Sequence, residues 1–163
     1  MTDKHLKEEC TASVELFKGN FLHAKRDTVR LPDGHTATRE YVVHPGAVVV
    51  IPLLEDGRLV LERQYRYPIG HVMTEFPAGK LDAGEDPLLC GQRELLEETG
   101  YTAREWARAG AMHLAVAYST EIIHVYFALR PDEWHLTRSM LRGWITGKEY
   151  RDHHDPRRWQ AKD

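Results

Sequence analysis

A chain of 163 residues, with 22 Lys and Arg against 25 Asp and Glu, is long enough for one globular domain with a real core. A net charge of −3 argues against a general nucleic-acid binder, which would carry a basic face, but leaves room for a small anion held by a few arginines. Cys10 and Cys90 stand far apart and in no metal-ligand spacing, which points away from a disulfide framework and toward a reducing cytosol.

The opening MTDKHLKEEC lacks the apolar stretch of a signal peptide, and the longest apolar run, GAVVVIPLL, is too short to span a bilayer. The expectation is a soluble cytoplasmic protein with no membrane partner.

In chain order, residues 1–12 are expected to be loose. Residues from about 13 to 44 read as extended segments around a Pro32-Asp33-Gly34 turn. GAVVVIPLLEDGRLVLERQYR follows as a hairpin turning at Asp56-Gly57, its first strand buried on both faces. In the second strand Glu62, Gln64 and Arg66 share one face. Pro68, Gly70 and Pro77 break the next stretch into loop, with a short strand near Val72–Phe76.

Asp86-Pro87 predicts a helix start, an N-cap followed by proline in the first turn, and Gly100 predicts its end. WARAGAMHLAVAY and EIIHVYFAL read as two more strands around a Tyr118–Glu121 loop. Leu136, Met140, Leu141, Trp144 and Ile145 have helical spacing. Residues 146–163 read as a loose tail, and its His153-His154 as a solvated pair. The expected class is mixed α/β, with an acidic helix beside a sheet.

That helix carries Glu94, Glu97 and Glu98, separated by three and four residues, so Glu94 neighbours both others. Like charges at these spacings cost about 0.2–0.5 kcal/mol each. Glu97 and Glu98 also lie in the last turn, where the helix dipole opposes negative charge. One reading is a solvated charged face held by Arg93, which can reach Glu97. The other is a divalent cation completing the cluster, since grouped carboxylates are the oxygen ligands that Mg²⁺ or Mn²⁺ prefers.

The residues before the helix separate the two. Gly79, five residues, Glu85, seven residues, then Arg93-Glu94-Leu95-Leu96-Glu97-Glu98-Thr99-Gly100-Tyr101 reproduces the Nudix box at each of its seven fixed identities. The chain resembles the Nudix hydrolases from about Val14 to Leu129. The resemblance implies a single domain over about 13–145 with the α/β/α sandwich of the Nudix fold around a mixed sheet, preceded by an N-terminal antiparallel strand region. It also implies metal-dependent attack of water on a nucleoside diphosphate linked to another group. Glu94 and Glu98 would ligate the metal, with Glu97 as a further ligand and the Ala78 carbonyl as another. Glu85 would steady the loop and Arg93 would hold the glutamates.

LERQYRYPIGHVMTEFPAGKLDAGE narrows the likeness to bacterial ADP-ribose pyrophosphatases, which have an R-Q-x-R strand followed by an E-x-P-A-G-K segment. By that likeness Arg66 and Arg39 would contact phosphates, and Glu75 would lie near the metals or the terminal ribose. Phe21 would stack on adenine, and Glu121 would stand where a loop glutamate is expected. The substrate implied is ADP-ribose, cleaved to AMP and ribose 5-phosphate, in a homodimer joined through the N-terminal strands. Alternatives are another nucleotide sugar or a dinucleoside polyphosphate, and a non-catalytic nucleotide-binding regulator on the same fold.

Two departures stand out. AYSTEIIHVYFAL lacks the family's S-P-G-type loop and carries Tyr118 near where dinucleoside polyphosphate enzymes place a tyrosine. After Leu136 the resemblance fades, so that the tail from about Thr137 is either diverged or read from a shifted frame. Only Asp132 and Glu133 then offer early acidic side chains, and the catalytic base is unassigned. Cys90, on the glutamate face, reads as a space-filler in place of a small residue.

Overall fold

The computed structural model describes residues 3–133. A single 3₁₀ turn, Asp3–Leu6, leads into β1 (Glu9–Lys18), β2 (His23–Arg30) and β3 (Thr36–Val42), an antiparallel three-stranded sheet in that order. The predicted turn joins β2 to β3, with the Leu31 N–H bonded to the His35 carbonyl at 2.8 Å. β1 begins at Glu9, inside the stretch expected to be loose. Its first residue pairs with Arg30, and an ion pair from the Arg30 guanidinium to Glu9 at 2.7 Å closes that end.

The body of the domain is a four-stranded mixed sheet. β4 (Ala47–Leu53) lies between β7 (Ala78–Lys80), antiparallel to it, and β9 (Ile123–Glu133), parallel to it. β8 (Tyr101–Met112) completes the order β7-β4-β9-β8, antiparallel to β9. In β4 Val48, Val50 and Pro52 are fully buried while the residues between them are half-buried, which suits a central strand.

The hairpin expected after β4 does not form as such. Both edges of β4 are already taken by β7 and β9, so the turn at Asp56-Gly57 returns the chain to it at a single bridge, Leu53 to Leu59. The next strand, β5 (Glu62–Arg66), pairs instead with β6 (His71–Glu75) in a separate two-stranded ribbon, joined by a 3₁₀ turn over Tyr67–Ile69.

Helix α1 (Pro87–Thr99) starts and stops as the sequence predicts. The Asp86 carboxylate accepts from the backbone N–H groups of Leu88 and Leu89, and Gly100 ends the helix in the left-handed region at φ 76°. β8 opens directly after Gly100, at Tyr101 rather than at the expected Trp106. α1 packs on the sheet through Cys90 and Leu95, which join Val48, Val50 and Ala128 in the core, with Trp106 and Tyr126 against them. Gly91 allows the approach: a β-carbon there would sit 3.3 Å from both Val48 and Val50.

The class is α/β, one α-helix on a mixed sheet among the described residues. The short helix that the spacing suggests over 136–145, the tail and His153-His154 lie outside those residues. No helix among them is long and apolar enough to cross a membrane.

Candidate active site

β7 and α1 meet edge to face, and their contact draws the acidic residues together. A β-carbon on Gly79 would fall 1.9 Å from the Glu94 carboxylate, so Glu94 rests directly on the strand backbone. Glu94 is only 6% exposed. One turn on, Glu98 accepts a hydrogen bond from the Ala78 N–H at 2.9 Å. Two carboxylates of one helix face are thus seated on neighbouring residues of one strand.

Arg93 holds the rest. Its Nε and Nη2 both donate to Glu85 at 3.0 Å, Nη1 donates to Glu94 at 2.8 Å, and Nη1 lies 3.5 Å from Glu97. Nη2 also reaches the Lys80 carbonyl and the Cys90 sulfur, both at 3.4 Å. The hydrogen bonds to Glu85, with those to Glu94, raise the guanidinium's pKa further above its ordinary value. Reciprocally, Arg93 lowers the Glu85 carboxyl from 4.5 to about 2, helped by the Asp82 N–H at 2.9 Å. Glu85 therefore stays ionised and pins the loop between β7 and α1.

Cys90 is fully buried, its thiol bonded to the Lys80 carbonyl at 3.5 Å. Burial, with the Glu85 charge beside it, pushes that thiol up to about 12. It is a packing residue at neutral pH, as its sequence position suggests.

Beside this cluster lies the β5–β6 ribbon. Arg66 grips Glu75 through Nε and Nη2, and the charges of Glu62 and Glu98 act on the same guanidinium. Glu75 is held below the usual carboxylate range, first by its hydrogen bonds from Arg66. The sequence singles out both residues but not their pairing.

The other expected residues are distributed as follows. Phe21, in the turn between β1 and β2, is 65% exposed, and the Lys80 ammonium sits 4.1 Å from its ring centre. This cation–π contact ties the N-terminal sheet to the box. Arg39 is engaged within the N-terminal region, where its Nε donates to Glu8 at 2.9 Å. Glu121 lies 3.7 Å from His44, in the loop whose Tyr118 carbonyl and Thr120 N–H bond to Val42. The Gly79–Glu94 contact and the Lys80–Phe21 pair escape sequence reasoning. A glycine fixed in the box is the one signal for the first, and nothing local signals the second.

Arg93 touches three of the four box carboxylates, Glu85, Glu94 and Glu97, while Glu98 is bonded to the Ala78 N–H. The donors on this face are hard oxygens of the kind that suit a small divalent cation. In the arrangement described, these glutamates are held by Arg93 and the Ala78 N–H. No three His, Cys, Asp or Glu side chains are gathered at metal-ligand distances among the described residues. The fit is therefore one of donor chemistry and common location.

Residues 43–161 match the model of the NUDIX domain, and residues 8–42 match the nucleoside diphosphate sugar hydrolase N-terminal domain. The chain belongs to the Nudix family. The two matches meet between Val42 and Val43, where the N-terminal sheet passes into the Nudix body, and the NUDIX match continues through the residues beyond β9. Members of this family generally use divalent metal ions.

Among Nudix relatives, the ADP-ribose pyrophosphatase of Bacillus subtilis is 38% identical over 125 residues, covering 77% of this chain and 68% of that protein. The ADP-ribose pyrophosphatase of Mycobacterium tuberculosis is 38% identical over 143 residues, 83% and 69% of the two chains. The methanol dehydrogenase activator of Bacillus methanolicus is 39% identical over 125 residues, 77% and 68%. A crystal structure of an ADP compounds hydrolase superposes with a TM-score of 0.72 at 21% identity, covering 82% of this chain and 73% of that one, a likeness of fold.

Proposed function

We propose that this Nudix protein hydrolyses the diphosphate linkage of a nucleoside diphosphate sugar, with ADP-ribose cleaved to AMP and ribose 5-phosphate. The observation that carries the reading is the seating of Glu94 and Glu98 on adjacent residues of β7, with Arg66 close enough to feel the Glu98 charge. On this reading Arg66 would bind the diphosphate beside acidic oxygens that would hold the accompanying cations, the two things a diphosphate needs. The N-terminal domain match and the two ADP-ribose pyrophosphatase relatives support the sugar nucleotide over other diphosphates.

Glu94 and Glu98, with Glu97 and the Ala78 carbonyl, would hold Mg²⁺ or Mn²⁺. The bound ion supplies neutralisation of diphosphate charge and a more acidic water. The protein's own part is positional. Glu85 and Arg93 fix the box loop against α1, Gly79 sets the height of Glu94 over the strand, and Arg66 offers a planar fork to phosphate oxygens. Phe21 offers an exposed ring for adenine, and Arg39 and Glu121 are further candidates for substrate contact.

The setting that fits is the cytoplasm, where both cysteines stay as thiols. A homodimer through the N-terminal sheet is supported by the exposed apolar side chains Val14, Leu16, Phe17 and Leu22.

The test is a panel of ADP-ribose, other nucleotide sugars and dinucleoside polyphosphates, each with and without Mg²⁺ or Mn²⁺, with products identified. ADP-ribose is expected to be the preferred compound, giving AMP and ribose 5-phosphate in the presence of the cation. Turnover of ADP-ribose no better than that of the others overturns the substrate choice.

A further inference from the structure

Arg66 and Glu75 stand at opposite ends of the ribbon pairing, Arg66 opposite His71 and Glu75 opposite Glu62. To meet, the arginine side chain must lie back along the ribbon face it shares with Gln64. It does so to make a fork: Nε donates to Oε1 at 2.9 Å and Nη2 donates to Oε2 at 2.5 Å. This is the edge that a guanidinium presents to two oxygens of a phosphate. In this structure it is already filled by an internal anion.

The surroundings strengthen the effect. Arg66 is 45% exposed and Glu75 22%, so the pair borders solvent and is open to exchange. Glu62 and Glu98 add negative charge around the guanidinium. An anion arriving from solution must displace Glu75 and approach against two further carboxylates.

We infer that Glu75 is a specificity-determining residue that competes with phosphate for Arg66, closing the site to free anions and opening it to a diphosphate accompanied by divalent cations. The inference rests on the reading above, in which Arg66 receives the substrate's diphosphate. Positive charge among the box glutamates would offset Glu98 around Arg66, which would favour exchange of carboxylate for phosphate. The device screens out phosphate and simple nucleotides that carry the right charge without the cation.

The test is calorimetric titration of ADP into wild type, Glu75→Gln and the double variant Arg66→Lys/Glu75→Gln, first in EDTA and then in Mg²⁺, with thermal unfolding confirming that each is folded. In EDTA, Glu75→Gln is expected to bind ADP at least about tenfold tighter than wild type, and the double variant to lose that gain. In Mg²⁺ the difference between wild type and Glu75→Gln is expected to shrink to within about threefold. Equal or weaker ADP binding by Glu75→Gln in EDTA, with wild type binding normally in Mg²⁺, overturns the role of Glu75 and leaves the proposed function standing. Failure of wild type to bind ADP in either condition, together with no turnover across the substrate panel, removes the proposed function and this inference with it.

Discussion

The Glu94 carboxylate occupies the space that a β-carbon on Gly79 would fill, so the helix meets the strand through this one side chain, laid directly on the backbone of β7. An added methyl must move either the carboxylate or β7. Gly79→Ala is expected to lower turnover by about a hundredfold, because a displacement near 1 Å is costly where groups must converge. It is also expected to destabilise the fold by about 1–3 kcal/mol, as overpacking does. Steady-state kinetics and denaturant unfolding read the two effects separately. Wild-type turnover in this variant would mean that the seating of Glu94 is unimportant.

Glu98 is bonded to the Ala78 N–H, a contact that a neutral amide oxygen can keep. Glu98→Gln is therefore expected to fold as wild type while losing at least about a hundredfold in cation-dependent turnover. The check is ADP-ribose hydrolysis at saturating Mg²⁺ alongside the melting temperature in EDTA. An unchanged rate would remove Glu98 from the site.

The Glu85–Arg93 pair makes an acid-sensitivity prediction for the metal-free protein. Folding lowers the Glu85 carboxyl from 4.5 to about 2. Below both values the carboxyl is protonated in folded and unfolded chains alike, and the pair contributes nothing. The stabilisation is full above the unfolded value of 4.5 and is lost as pH falls from there through about 2. Glu85→Gln is expected to flatten that part of the stability–pH curve and to lower stability at neutral pH. Curves of identical shape for the two proteins would show that the pair does not contribute.

The two thiols differ sharply in access. Cys10 is exposed on β1, whereas Cys90 is buried and held protonated until about pH 12. A thiol reagent in mildly alkaline buffer is expected to titrate one equivalent in the native protein and two in denaturant. Two fast equivalents in the native state would mean that the contact of α1 with β7 opens readily.

Much of the local architecture is legible in the sequence because its causes are local. Asp86, Pro87 and Gly100 bound α1, since capping and the left-handed conformation depend on neighbours within a turn. The Pro32-Asp33-Gly34 turn forms for the same reason. The spacing of Glu94, Glu97 and Glu98 puts them on one helix face, and the link from Arg93 to Glu97 follows from i,i+4 geometry.

Strand pairing is another matter. A central strand such as β4 is an unbroken apolar run, so no alternation of polar and apolar residues tells which neighbours it takes. Nothing in GAVVVIPLLEDGRLVLERQYR shows that residues 78–80 and 123–129 will fill both its edges. With those edges filled, the apparent hairpin partner is released to β6, and only then can Arg66 reach Glu75.

By itself, then, the order of residues determined the box, the limits of its helix and the likeness that names the family, all set by spacing along one chain segment. Tertiary contact alone decided that Glu94 would rest on Gly79, that the Lys80 ammonium would sit over the Phe21 ring and that Arg66 would hold Glu75. Each of those joins segments whose meeting depends on which strands become neighbours in the sheets, a choice settled by burying the apolar face of α1 against β4 and β9.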